Sequence, residues 1–410
     1  MTNNTLLKFE TKELKSLLAA KYFIKNEQVE IVNRSKRFSF DDSFVFKNKN
    51  FDCGYHAVDI GRSKIYNDLL RSTDLEFHSS PSTRSLVFNN KKYDRGYDVA
   101  LLEKDFSLKN KNRFNGKFLK NLERIYGSDF ISFAIENISQ SYVQNKLWIQ
   151  DRLSDEIILT NIYPWFFPYT DDDKAGNLNS IRPHFHNKMI QDNLVMYPKH
   201  ASFGSIAHAL ETNLKNFISS VANAEYEFAS LDDNGKIAVE DNTVHVLPID
   251  YLDIATRFNL EYPHFNISNF YLVSVVLENE INFKDHEILV GDKNYYIDRV
   301  SSTDSLSGNK TVTAIQFECE SLIELSEDIL VDNLKAFSDR FLEDAKWSGY
   351  NIKKVPLKRY NTDGISEKCQ NIVNFVELMN PQVIVLNRNF NFENLSESVE
   401  NLISRIQEII

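Results

Sequence analysis

The period of apolar positions changes several times along the chain, and each change marks an element. In Thr11–Tyr22, Leu14, Leu17 and Leu18 recur at helical spacing, which predicts an amphipathic helix; Gln28–Asn33 predicts a strand behind it. Tyr55–Ile60 alternates weakly as a short strand. Ser63–Leu70 gathers Ile65, Leu69 and Leu70 on one side of a short helix. Asp74–Phe77 alternates strictly, so as a strand it would turn Asp74 and Glu76 to one face and Leu75 and Phe77 to a core. Ser85–Asn89 and Tyr97–Leu102, joined by the turn-rich NNKKYDRG, predict a β-hairpin.

Helical spacing continues through Leu119–Ile125, Phe130–Val143 and Leu147–Leu159, and returns at Ile206–Ala224. Between these lies an irregular aromatic stretch, residues 161–200. Residues 231–325 are strand-rich. Tyr271–Leu277 is almost continuously apolar and predicts a central strand covered on both faces. Val290–Tyr295 carries a short polar turn between apolar runs and predicts a hairpin. Beyond residue 326, helices (Ile329–Lys346, Ile365–Met379, Leu395–Ile410) alternate with strands (Asn351–Leu357, Gln382–Leu386), the pattern of a small α/β layer.

These elements predict an α+β chain: a small N-terminal mixed sheet with helices, a helical middle, and a β-rich block followed by an α/β C-terminal layer. Length changes that picture first, since 410 residues exceed one ordinary domain. We divide the chain into residues 1–105, 106–225 and 226–410. Only 12 glycines disfavour loop-dominated β architectures. A net charge of −11 disfavours bulk binding to nucleic acid, although a local basic channel is compatible with it. Cys53, Cys319 and Cys369 form neither a disulfide framework nor a zinc pattern and read as reduced thiols of a cytoplasmic protein. The N-terminus lacks a signal-peptide pattern, and no window suits a membrane span, so no membrane partner is expected.

Candidate chemistry concentrates in residues 51–104. If the strand of Asp98 pairs beside that of Asp74 and Glu76, three carboxylates converge. Such a trio calls for a hard divalent ion such as Mg²⁺, and two such ions serve phosphoryl or nucleotidyl transfer. A glycine turn after a strand (Gly61), a short helix, an Asp-Leu-Glu-Phe run and a later Asp resemble the nucleotidyltransferase superfamily of polymerase-β type. Arg71–Phe77 is similar to a stretch of its abortive-infection and toxin-type members. Arg62 stands where that family has Gly or Ser, and Glu76 replaces the commoner Asp. The resemblance implies Asp74, Glu76 and Asp98 as catalytic and metal-binding residues. It implies Gly61, Arg62, Ser63, Lys64 and Arg71 around the triphosphate of an NTP substrate. The implied function is Mg²⁺-dependent transfer of an NMP to a nucleotide, RNA or protein acceptor, in a toxin or phage-defence setting.

The alternative is a non-catalytic scaffold or subunit of a larger assembly, motivated by the aromatic cluster Trp165–Phe167 as a protein-binding surface. Basic runs at Arg34, Lys36 and Arg37, and at Lys109–Lys120 among Phe106, Phe114 and Phe118, read first as solvated or helical segments and second as a nucleotide groove. His184, His186 and His200 read first as ordinary histidines and second as a metal site.

Overall fold

The computed structural model describes residues 5–32, 43–54, 58–59, 64–94, 128, 194–219, 231–262, 265–360, 365–386 and 395–410, apart from single gaps at 82, 89, 293 and 322. It is an α+β structure. Near the N-terminus, β1 (Leu6–Phe9), α1 (Leu14–Phe23) and β2 (Gln28–Val32) form a β-α-β unit with parallel strands. Its two strands join three others in an all-parallel sheet ordered β10-β2-β1-β11-β17, where β10 is Ile218–Ser219, β11 is Thr243–Leu247 and β17 is Val383–Val385. The order reverses between β1 and β11, as in doubly wound folds.

Alternation decides what covers each face. Leu7, Phe9, Val29, Ile31, Val244, Val246 and Ile384 turn towards α1, α2 (Lys64–Arg71), α3 (Gly204–Asn213) and α8 (Leu395–Ile409). The stripe Val399, Leu402, Ile403 and Ile406 of α8 is spent in this core against α1, so the C-terminal helix is packing material. On the opposite face, Leu247, Val383 and Val385 pack with α4 (Tyr251–Arg257) and α7 (Ile365–Met379). Helix α4 starts on Asp250, whose carboxylate accepts from the N–H groups of Leu252 and Asp253.

A second, seven-stranded sheet has the order β16-β12-β15-β14-β13-β7-β8. It contains β7 (Arg84–Phe88), β8 (Lys91–Asp94), β12 (Phe265–Asn282), β13 (Glu287–Val290), β14 (Ile297–Ser301), β15 (Thr311–Ser321) and β16 (Trp347–Tyr360). Neighbours are antiparallel except β13 and β7. Strand β12 pairs on both edges and contributes Tyr271, Val273, Val275 and Leu277 to a core roofed by α6 (Glu327–Phe341), as its apolar run predicts. Phe337 of α6 meets Phe317 and Tyr295 edge-on, with ring centroids 6.2 and 5.1 Å away.

The other face of this sheet, which we call the inner face, carries the hairpin β3 (Ser43–Phe46) and β4 (Lys49–Asp52); Phe44, Phe46 and Phe51 lie against Phe270, Leu272, Val276 and Ala314. A three-stranded ribbon ordered β5-β9-β6 (Val58–Asp59, Leu194–Pro198, Phe77–Pro81) completes the described strands.

Three expectations change. The helix expected over Ile206–Ala224 ends at Asn213, and Ile218–Ser219 is strand β10. The hairpin after Ser85 returns at once: Lys91–Asp94 pairs with β7, and Asn90 takes φ +60°, the left-handed backbone a two-residue turn needs. The segment read as a turn therefore holds the return strand, and Asp98 lies outside the described residues. Asp74, Leu75 and Glu76 are not a strand either. Asp74 sits at φ +62°, and β6 begins only at Phe77.

Candidate functional site

Two places in the fold gather buried polar groups. The first is the turn from β1 into α1. Glu10 extends β1 by one residue, with its N–H on the Val246 carbonyl at 2.8 Å. Its carboxylate takes a 2.8 Å hydrogen bond from Nδ1 of His245 on β11, and the two side chains are 6% and 4% exposed. His245 Nε2 accepts the Glu240 N–H at 3.4 Å, which leaves Nδ1 as the ring nitrogen that donates to Glu10.

Alternation places Lys8, Glu30 and His245 in one row on the face away from α1. Lys8 Nζ reaches Glu240 at 2.8 Å and Glu30 at 3.7 Å, and Ser219 Oγ donates to Glu30 at 2.8 Å. A polar seam thus crosses β10, β2, β1 and β11. The rest of the turn is Thr11, Lys12 and Glu13. Lys12 is engaged by Glu211 of α3 at 3.4 Å, and Glu13 is the exposed residue before the helix.

The second place is where the ribbon, α3 and the hairpin meet the inner face of the long sheet. Asp52 ends β4 and is buried. Its carboxylate accepts the Phe203 N–H at 2.8 Å, at the start of α3, and the Tyr197 hydroxyl of β9. Its carbonyl accepts Gln316 Nε2 at 2.7 Å, and that amide also reaches Ser274 Oγ at 3.2 Å. Burial pushes the Asp52 carboxyl up to about 7, against the hydrogen bonds from Tyr197 and Phe203; burial and the Asp52 charge hold the Tyr197 phenol well above its ordinary value. Further along the inner face, Arg299 lies 2.8 Å from buried Glu287 and 3.6 Å from Glu318, and Ser268 donates to buried Glu320.

Of the residues expected to hold metal and nucleotide, Asp74 and Glu76 are exposed on the connection between α2 and β6; the Glu76 carboxylate makes a surface pair with Lys199 at 3.6 Å, and its carbonyl accepts the Lys199 N–H at 2.7 Å. Lys64 and Arg71 are exposed at the two ends of α2. Gly61, Arg62, Ser63 and Asp98 lie outside the described residues, as do Trp165–Phe167, His184 and His186. His200 is exposed in a turn after β9. Among the described residues no group of three His, Cys, Asp or Glu is arranged to hold a metal ion.

No family model matches the chain, and no curated protein matches it in sequence. Solved structures do match its fold. The chain is similar to reduced UDP-galactopyranose mutase at a TM-score of 0.70 and 10% identity, over 99% of this chain and 95% of that one. It is similar to the CLA-producing fatty acid isomerase of P. acnes at a TM-score of 0.57 and 10% identity, over 100% and 99% of the two chains. A putrescine oxidase bound to putrescine matches at 0.56 and 7% identity, over 99% of each chain.

This end-to-end likeness overturns the nucleotidyltransferase resemblance, the NMP-transfer function and the Mg²⁺ and NTP built on it. The run Asp74–Phe77 imitated a catalytic strand through alternation over four residues, whereas the backbone there is a connection with a left-handed residue. The residues that do converge, Glu10 with His245 and Asp52 with Tyr197, are 235 and 145 positions apart. No local spacing announces either pair. Of the β-α-β unit, the helix and the second strand were expected over residues 11–33, and β1 (Leu6–Phe9) was not.

Proposed function

We propose that this chain is a small-ligand-binding protein of the mutase and isomerase type of architecture, with nucleotide sugars as its ligand class. The observation that carries the reading is the likeness to UDP-galactopyranose mutase, which spans 99% of the chain at a TM-score of 0.70, against 0.57 and 0.56 for the isomerase and the amine oxidase. The reading rests on architecture, with the ligand class taken from one neighbour.

Cytoplasm is the compartment we assign. The buried thiols of Cys53, Cys319 and Cys369 support it.

Saturation-transfer NMR and thermal melts with UDP-galactopyranose, UDP and galactose test the reading. We expect saturable binding of the UDP sugar, tighter than of either fragment. No saturable response to any of the three overturns it.

A further inference from the structure

A fold of this kind implies a dinucleotide cofactor, flavin or nicotinamide, bound at its first β-α-β unit. There the pyrophosphate rests on the N-terminus of the helix, and three glycines spaced G-x-G-x-x-G make room for it. The first glycine forms the tight turn, the second lets the backbone approach the phosphates, and the third lets helix and strand pack closely. An acidic residue about 20 positions on, at the end of the second strand, takes the ribose hydroxyl.

The unit here keeps the architecture and departs at all three glycine positions. Counting from the end of β1, the glycine places hold Glu10, Lys12 and Lys15. The residue following β2 is Asn33; Glu30, 20 positions beyond Glu10, lies within β2 and is engaged by Lys8 and Ser219. The buried Glu10 carboxyl group, an oxygen acceptor, fills the place reserved for a dianion and is already engaged by His245 Nδ1. A second carboxylate, Glu13, precedes the helix, where a phosphate would take its N–H groups. Lys12 offers charge without space, because its stem stands where main chain must approach phosphate, and its ammonium is paired with Glu211 at 3.4 Å. The residues present do not fit a dinucleotide.

We infer that this chain has converted the dinucleotide place of its fold into a closed structural contact, Glu10 on His245, and functions without flavin or nicotinamide cofactor. The contact ties the end of β1 to β11 at the reversal of strand order. The inference uses the architecture and these residues only. Failure of the nucleotide-sugar reading leaves it standing, and its own failure leaves that reading untouched.

The full chain, purified without added flavin, is examined by visible absorption. It is then titrated with FAD and with NADH, following flavin fluorescence, nicotinamide fluorescence and the melting temperature. We expect a colourless protein, no saturable change in either fluorescence, and a melting temperature that neither compound moves. Copurifying flavin at a fixed ratio to protein overturns the inference, as does a saturable rise in melting temperature with FAD or NADH, because a ligand of the native state must raise it.

Discussion

The hydroxyl of Tyr197 donates to the Asp52 carboxylate, joining β9 to the end of β4 in the interior. The same carboxylate accepts the Phe203 N–H, and the Asp52 carbonyl holds Gln316. One acidic residue therefore fastens a strand, a helix start and the inner face of the long sheet.

Because burial raises the Asp52 carboxyl to about 7 from an ordinary 3.8, the folded state holds that proton more tightly than the unfolded chain. Its stabilising effect is complete below about pH 4 and disappears as pH rises through 7. Urea unfolding at pH 5 and pH 8 should show lower stability at pH 8, with a slope of at most about 1.4 kcal/mol per pH unit from this group. Asp52→Asn keeps an acceptor for Phe203 and should flatten that slope. An unchanged slope in the variant counts against the assignment.

Replacing Glu10 by Ala strands the Nδ1–H of His245 away from water, and an unsatisfied buried donor costs roughly 1–3 kcal/mol. Glu10→Gln retains an acceptor and should lose less than the alanine variant. Equal stability of wild type and Glu10→Ala in chemical denaturation would show that the pair holds nothing together.

At Gly204, the first residue of α3, an added Cβ would lie 2.8 Å from the main-chain nitrogen of Ser43 in the β3–β4 hairpin. Gly204→Ala should therefore destabilise, despite alanine's better helix propensity, by about 1–3 kcal/mol. The midpoint of a urea titration decides the sign.

Phe337 is fully buried between α6 and the seven-stranded sheet. Phe337→Ala removes a ring from that layer and should cost about 3–5 kcal/mol, read from equilibrium unfolding. By contrast, the double variant Asp74→Asn with Glu76→Gln touches only exposed side chains and should shift stability by no more than about 0.5 kcal/mol. Mg²⁺ should leave the melting temperature of wild type and double variant alike.

Local pattern revealed the elements, and long-range relations stayed hidden. The helix at Ile365–Met379 and the central strand at Tyr271–Leu277 stood out because their apolar residues keep one period over several turns or pleats. The Asp74–Phe77 strand failed because four residues can alternate by accident. The missed return strand Lys91–Asp94 is short and carries two lysines and an aspartate, so polarity hid it among turn residues. The turn after β1 hid the fold most effectively. Its Glu10, Lys12 and Lys15 show no glycine turn between strand and helix, so nothing in the local spacing marks the strand-helix-strand unit.

The parallel sheet draws its strands from residues 6–9, 28–32, 218–219, 243–247 and 383–385. During synthesis the first strands therefore emerge long before β17, whose Val383 and Val385 help cover the face beside β11, and α8 follows later still. Until residues 383–385 have left the ribosome, Leu247 and the outer edge of β11 stay open to water and to other nascent chains. Removing β17 and the residues after it should thus leave insoluble product instead of a smaller folded piece.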